Sequence, residues 1–161
     1  MEDWPWPEPV ERVAAVLRER GIDARLEEFL DATPTAAAAA VAVGCEAGEV
    51  VKSLVFICDG LPVMALVPGD RRADEQKVAA ATGATYARVA KPEEVLAATG
   101  FEPGAVAPFP TVSVTRVLLE RELLRFPMVW AGAGSSNHMV GLSPFDLARV
   151  TQAELVDLSE V

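Results

Sequence analysis

Val10, Val13, Ala14 and Leu17 recur at i, i+3, i+4 and i+7, the spacing of one apolar helix face, and Gly21 stands where a left-handed cap would end it. Trp4 and Trp6, spaced by prolines just ahead, are expected to pack on the core as an arm. Ala24 to Phe29 predicts a short strand. Thr33-Pro34-Thr35 then leads into an alanine-rich helix with Thr35 as its N-cap and Gly44 at its close. Alanine is the best helix former, and a face of small residues lets a helix lie close to a sheet.

The clearest unit is Val50 to Cys58 and Leu61 to Val67 joined by Asp59-Gly60, the favoured two-residue turn between antiparallel strands. From Leu54 onward both faces are apolar, which places this hairpin at the centre of a sheet. Pro62 should occupy a non-pairing position near the start of its strand.

Pro68-Gly69-Asp70 ends the hairpin. Asp74 caps a helix through Thr82, Thr85 to Val89 predicts a strand, and Pro92 opens a helix that Gly100 closes. Phe101 to Pro110 reads as a loop, Thr111 to Thr115 as a strand, and the stretch through Leu124 as a poorly patterned connection. A strand from Met128 to Ala131 runs into Gly132-Ala133-Gly134-Ser135-Ser136. There follow a strand from His138 to Leu142, a helix begun by Ser143-Pro144 with Asp146 completing a capping box, and a last strand near Leu155. Helices alternate with strands around one tight hairpin, so the fold class is α/β, with a mixed, largely antiparallel central sheet wrapped by helices.

At 161 residues and 51% hydrophobic content the chain is expected to form one domain over 1–161. Its longest apolar run, Ala36 to Val43, is too short to cross a bilayer, and the N-terminus lacks the basic and apolar regions of a signal peptide. A soluble, cytoplasmic protein with no membrane partner is expected. Two cysteines, Cys45 and Cys58, and a single histidine cannot assemble a zinc-type ligand set, so neither a metal nor another cofactor is expected. The formal charge of −10 argues against broad binding to a phosphate backbone. A nucleic-acid contact would have to be small and local, or assisted by a partner protein.

Lys52 interrupts an apolar strand, and by position alone it either snorkels to water or is kept for a ligand. Gly132 to Ser135 lies between two strands, where glycines let backbone N–H groups approach a ligand closely. It lacks the third glycine and following helix of a dinucleotide fingerprint. Gly104 to Pro108 reads as a surface loop or a rigid site loop, with Phe109 as an apolar wall. His138 is either a packed residue or a general acid or base beside the glycine-rich turn. Ser135 and Ser136 have no nucleophile elbow around them. Glu27-Glu28 and Glu93-Glu94 read as solvated charge and caps. Asp70-Arg71-Arg72 reads as the local patch for meeting a phosphate.

Taken in order, Val50-Val51-Lys52-Ser53-Leu54-Val55-Phe56, Leu66-Val67-Pro68-Gly69-Asp70-Arg71-Arg72, Gly104-x-x-x-Pro108 and Gly132-Ala133-Gly134-Ser135 resemble the YbaK/ProX family of editing domains associated with prolyl-tRNA synthetase. The resemblance runs from about Val10 to Val150. It implies hydrolysis of mischarged tRNA in trans, with tRNA for proline carrying alanine or cysteine as substrate and prolyl-tRNA synthetase as a partner. It makes Lys52, Gly104 and Ser135 the catalytic positions. Ser53, Pro108, Phe109, Gly132, Ala133, Gly134, Ser136 and His138 become substrate-binding positions. The loop departs from the commoner family form at Ala105, Ala107 and Pro110. The alternative function is a non-catalytic module that holds an aminoacyl-adenosine-like tRNA end and regulates a synthetase. A small-metabolite esterase is a third reading.

Overall fold

The computed structural model describes residues 6–33 and 35–160. Five helices, α1 (Glu8–Arg20), α2 (Ala36–Val43), α3 (Glu75–Thr82), α4 (Pro92–Thr99) and α5 (Pro144–Thr151), flank an eight-stranded sheet. Its strands are β1 (Ala24–Glu28), β2 (Val50–Cys58), β3 (Leu61–Pro68), β4 (Ala87–Val89), β5 (Arg116–Glu120), β6 (Val129–Gly132), β7 (His138–Leu142) and β8 (Glu154–Val156). The order across the sheet is β1-β7-β6-β2-β3-β5-β8, with β4 also paired to β2. The β2–β3, β2–β4, β1–β7 and β6–β7 pairs are antiparallel; β2–β6, β3–β5 and β5–β8 are parallel. The sheet is thus mixed and mostly antiparallel, as the sequence predicts.

The central hairpin forms because Asp59 and Gly60 both take positive φ, 48° and 86°, which matches the right-handed twist of the strands they join. The Asp59 carboxylate accepts hydrogen bonds from the N–H groups of Thr85 and Tyr86 and from the Thr85 hydroxyl. Those contacts hold the carboxyl below its usual range and tie the turn to the entrance of β4. Pro62 lies opposite Ile57, one step from the Cys58–Leu61 pair that closes the turn, and its carbonyl accepts from Thr115 on the far side. Alternation of bonded and unbonded pairs means no ladder donor is lost there.

Helices cover both faces. Val13 and Leu17 of α1, Ala98 of α4 and Leu147 of α5 pack on Val51, Val55, Met64, Leu119, Ala131 and Val140. On the other face Val78 of α3 meets Phe56, Val63 and Leu118, while Ala39 and Ala40 of α2 meet Val50, Trp130 and Met139. Thr35 caps α2 through the Ala38 N–H and Asp74 caps α3 through Gln76 and Lys77, as the spacing requires.

Three expectations are corrected. Residues 111–115 are not a strand: the N–H groups of Val112 and Ser113 both go to the Ala98 carbonyl, and pairing begins at Arg116. The supposed connection through Leu124 contains β5 and a 3₁₀ segment, Arg121–Arg125. Asp146 meets Arg149 rather than boxing Ser143, whose hydroxyl alone caps Phe145 N–H. Trp6 of the expected arm meets His138 in a T-shaped contact, with centroids 5.6 Å apart; Trp4 lies outside the described residues.

Candidate active site

The site begins as a division in the sheet. One edge of β2 pairs with β3 from Val51 to Cys58. The other is shared: Val50 and Val51 run parallel to Trp130 and Ala131 of β6, and Phe56 to Cys58 pair with β4. The Val55 carbonyl accepts from Ala90 N–H at 3.0 Å. Backbone groups alternate sides along a strand, so Val51, Ser53 and Val55 present theirs to this edge. β6 engages Val51 and the β4 side engages Val55. Ser53 alone faces the gap.

The loop after α4 enters that gap. The Thr99 hydroxyl accepts from Phe101 N–H at its start, and Phe101, Ala107, Pro108 and Phe109 are buried, so both ends are anchored. Between them Gly104 turns outward with φ of 88° and Ala105 N–H bonds to the Glu102 carbonyl. The Val106 carbonyl then passes over Gly132, where any β-carbon would stand 2.8 Å from its oxygen. Glycine at 132 is therefore a packing requirement of the loop.

The turn between β6 and β7 supplies the opposite wall. Ala133 is buried in the core, and Gly134, with φ of 101°, fits against the Pro9 carbonyl. Ser135 Oγ lies 2.5 Å from His138 Nδ1 and 3.0 Å from Asn137 Oδ1. Asn137 Nδ2 donates to the Phe29 carbonyl at 2.8 Å, which turns Oδ1 toward Ser135. The serine proton then belongs to Oδ1, and Nδ1–H of the imidazole donates to Oγ. Nε2 is left as a lone-pair acceptor. It is buried and has no hydrogen-bond partner among the described residues; its ring is 3% exposed. Burial pushes the imidazole below its ordinary pKa, and Glu28, 3.8 Å from Nε2, opposes that shift.

Lys52 is half-buried, and its amine donates to the Arg71 carbonyl. Burial lowers its pKa, with Arg72 adding to the effect and Asp70 opposing it. Arg71 faces Glu122 at 3.7 Å, whereas Arg72 has no ion pair among the described residues.

Lys52, Ser53, Gly104, Gly132, Ser135, Ser136 and His138 together line one cleft of about 280 Å³, closed by Ala36, Ala39 and Met139. Pro108, Phe109, Ala133 and Gly134 do not line it; they pack behind the walls. Glu28 and Asn137 were not singled out by the sequence. Glu28 reads there as solvated charge, and only its pairing opposite His138 across β1 and β7 gives it a place near the site. Among the described residues no group of three or more His, Cys, Asp or Glu side chains could hold a metal ion, and no helix is long and apolar enough to cross a membrane.

The chain belongs to the aminoacyl-tRNA editing domain family, which it matches over residues 31–150. It is 35% identical over 122 residues to the uncharacterized protein YwhH of Bacillus subtilis, covering 75% of this chain and 77% of that one. It is 42% identical over 81 residues to a proline–tRNA ligase of Nitratidesulfovibrio vulgaris, covering 50% of this chain and 14% of the ligase. A crystal structure provisionally assigned as a trans-editing enzyme for prolyl-tRNA synthetase superposes with a TM-score of 0.90 at 36% identity, covering 97% of this chain and 99% of that one.

Proposed function

We propose that the protein hydrolyses mischarged tRNA in trans, with tRNA for proline carrying alanine or cysteine as substrate. The observation that carries this reading is the convergence of Lys52, the Gly104 loop and the Ser135–His138 pair on one cleft. Likeness to a proline–tRNA ligase and to a provisional trans-editing enzyme supports the proline system.

An aminoacyl ester is activated relative to an amide, so positioning of water and support of the oxyanion suffice without a covalent nucleophile or a metal. Water oxygen bonds to the ester carbonyl carbon, the carbon–oxygen bond to the ribose breaks, and the water proton ends on the departing ribose oxygen. Backbone groups of the Gly104 loop and the Gly132 to Ser135 turn orient water and carbonyl. Lys52 holds the phosphate of the terminal nucleotide, with Arg72 beside it. His138, with Nδ1 on Ser135 and Nε2 buried near Glu28, holds the Ser135 wall against which the substrate lies. Small walls, Ala36, Ala39 and Gly132, admit alanine and cysteine and exclude the larger prolyl ring; one small group alters binding by only about 1–3 kcal/mol.

A panel of charged tRNAs tests the reading. Multiple-turnover release of alanine or cysteine from tRNA for proline is expected, with prolyl-tRNA spared. Saturable binding without turnover would make the protein a tRNA-end binder, and cleavage of short esters regardless of the tRNA would make it a general esterase.

A further inference from the structure

On the far side of the Gly104 loop lies a second cavity of about 190 Å³, which shares Ser53, Leu54, Gly104 and Val106 with the main cleft as lining residues. Val89, Ala90, Val95 and Pro103 give it apolar walls. At its junction with the cleft stands the one residue of β2 whose backbone faces the division in the sheet. The neighbours on that edge, Val51 and Val55, spend their groups on β6 and Ala90. The Ser53 hydroxyl is buried and has no hydrogen-bond partner among the described residues.

Apolar walls around an unpaired N–H and C=O on one strand residue make a specific demand of a ligand. It must be flat, largely apolar on its faces, and carry an acceptor and a donor side by side on one edge. Adenine meets that demand: ring N1 accepts and the 6-amino group donates, copying the pair of groups that an antiparallel strand would offer Ser53. Hypoxanthine and guanine invert the pattern, with N1–H as donor and O6 as acceptor. Cytosine and uracil are smaller and leave the cavity part-filled.

We propose that this cavity is an adenine-binding subsite read by the backbone of Ser53, with the Ser53 hydroxyl available to a further polar atom of the base or ribose. This rests on the functional reading above, under which the occupant is the base of the terminal adenosine of tRNA. The ribose then spans the junction beside Gly104 and the ester lies in the main cleft. Lys52, next to Ser53 in the chain, is placed for the adjoining phosphate. A free adenine nucleotide offers the same base.

Titrating isotope-labelled protein with adenosine monophosphate and inosine monophosphate tests the site independently of catalysis. The adenine nucleotide is expected to move the amide signals of Ser53, Val55 and Val106 and to bind about tenfold more tightly than the inosine one, the ratio expected when a buried pair of hydrogen bonds is mismatched. Val89 is 62% exposed, so Val89→Asp leaves the fold intact while placing a carboxylate on the rim, and it is expected to weaken adenosine monophosphate binding. Equal binding of the two nucleotides, or shifts confined to residues 71–76, would overturn the subsite. In turnover, mischarged tRNA ending in hypoxanthine is expected to show a raised KM with kcat kept. An unchanged KM removes the base site and leaves deacylation standing. Adenine preference without turnover on any charged tRNA sustains the base site and removes the deacylase reading.

Discussion

The Val106 carbonyl oxygen lies 2.8 Å from the point that a β-carbon on Gly132 would occupy. This contact couples the loop in the divided sheet to the strand that forms its opposite wall. Gly132→Ala is expected to push the loop outward while the fold survives. Misplacement of positioning groups by about 1 Å can cost on the order of 10²-fold in rate. Single-turnover deacylation of alanyl-tRNA should fall by roughly ten- to a hundredfold, with the melting temperature little changed. Wild-type rates would remove the loop from the chemistry.

Lys52→Ala removes an amine whose contact in the structure is with one backbone carbonyl, that of Arg71. Stability should change by less than about 1 kcal/mol, as for other half-exposed polar contacts. Deacylation of mischarged tRNA should drop steeply, chiefly through KM if the amine holds a phosphate. Steady-state kinetics over a range of salt concentrations checks this, since the variant should lose part of the salt dependence.

His138 titrates below its ordinary value because it is buried, so the folded protein binds fewer protons than the unfolded chain between that lowered pKa and 6.5. Stability from this group is present above pH 6.5 and is lost as the pH falls through the folded pKa. Activity should follow the same limb, because a charged imidazole buried behind Ser135 disturbs that wall of the cleft. An NMR titration of the imidazole should give a midpoint below 6.5. In His138→Asn the acid limb of KM should disappear.

Glu120 is 2% exposed, and its carboxylate accepts from the N–H groups of Glu122, Leu158 and Ser159 and from the Ser159 hydroxyl. Burial alone would raise its pKa; those donors outweigh burial and lower it. Glu120→Ala strands these donors and should cost about 3 kcal/mol, measured by chemical denaturation. Ser159 also bridges to Ala73, and Glu160 N–H bonds to the Arg72 carbonyl, so the loop that receives Lys52 should loosen too. Hydrogen exchange at residues 71–74 would register it.

Local signals were legible in the sequence wherever they were self-contained. Asp59-Gly60 fixes its hairpin, and Thr35 and Asp74 fix their helix starts, because each acts within four residues. β5 was hidden because Arg116 and Glu120 flank its apolar centre with charge. Only long-range partners explain them: Arg116 meets Glu154 and the carbonyls of Ala81 and Thr82, while Glu120 meets residues 158 and 159. Thr111 to Thr115 has the alternation of a strand without a neighbour to pair with. The motif residues on the cleft were found as motifs, yet nothing local could reveal that β6 and β4 stop short of each other along β2. The roles of Glu28 and Asn137 depend on that same long-range assembly.

The interruption along β2 is one outward-facing residue wide. A foreign strand needs several consecutive free backbone groups to add to a sheet, and here the flanking positions are already occupied by β6 and β4. The protein can therefore keep an unsatisfied strand edge open for a small ligand without offering a template for aggregation. Widening it, as by shortening β4, would bring solubility and ligand access into conflict.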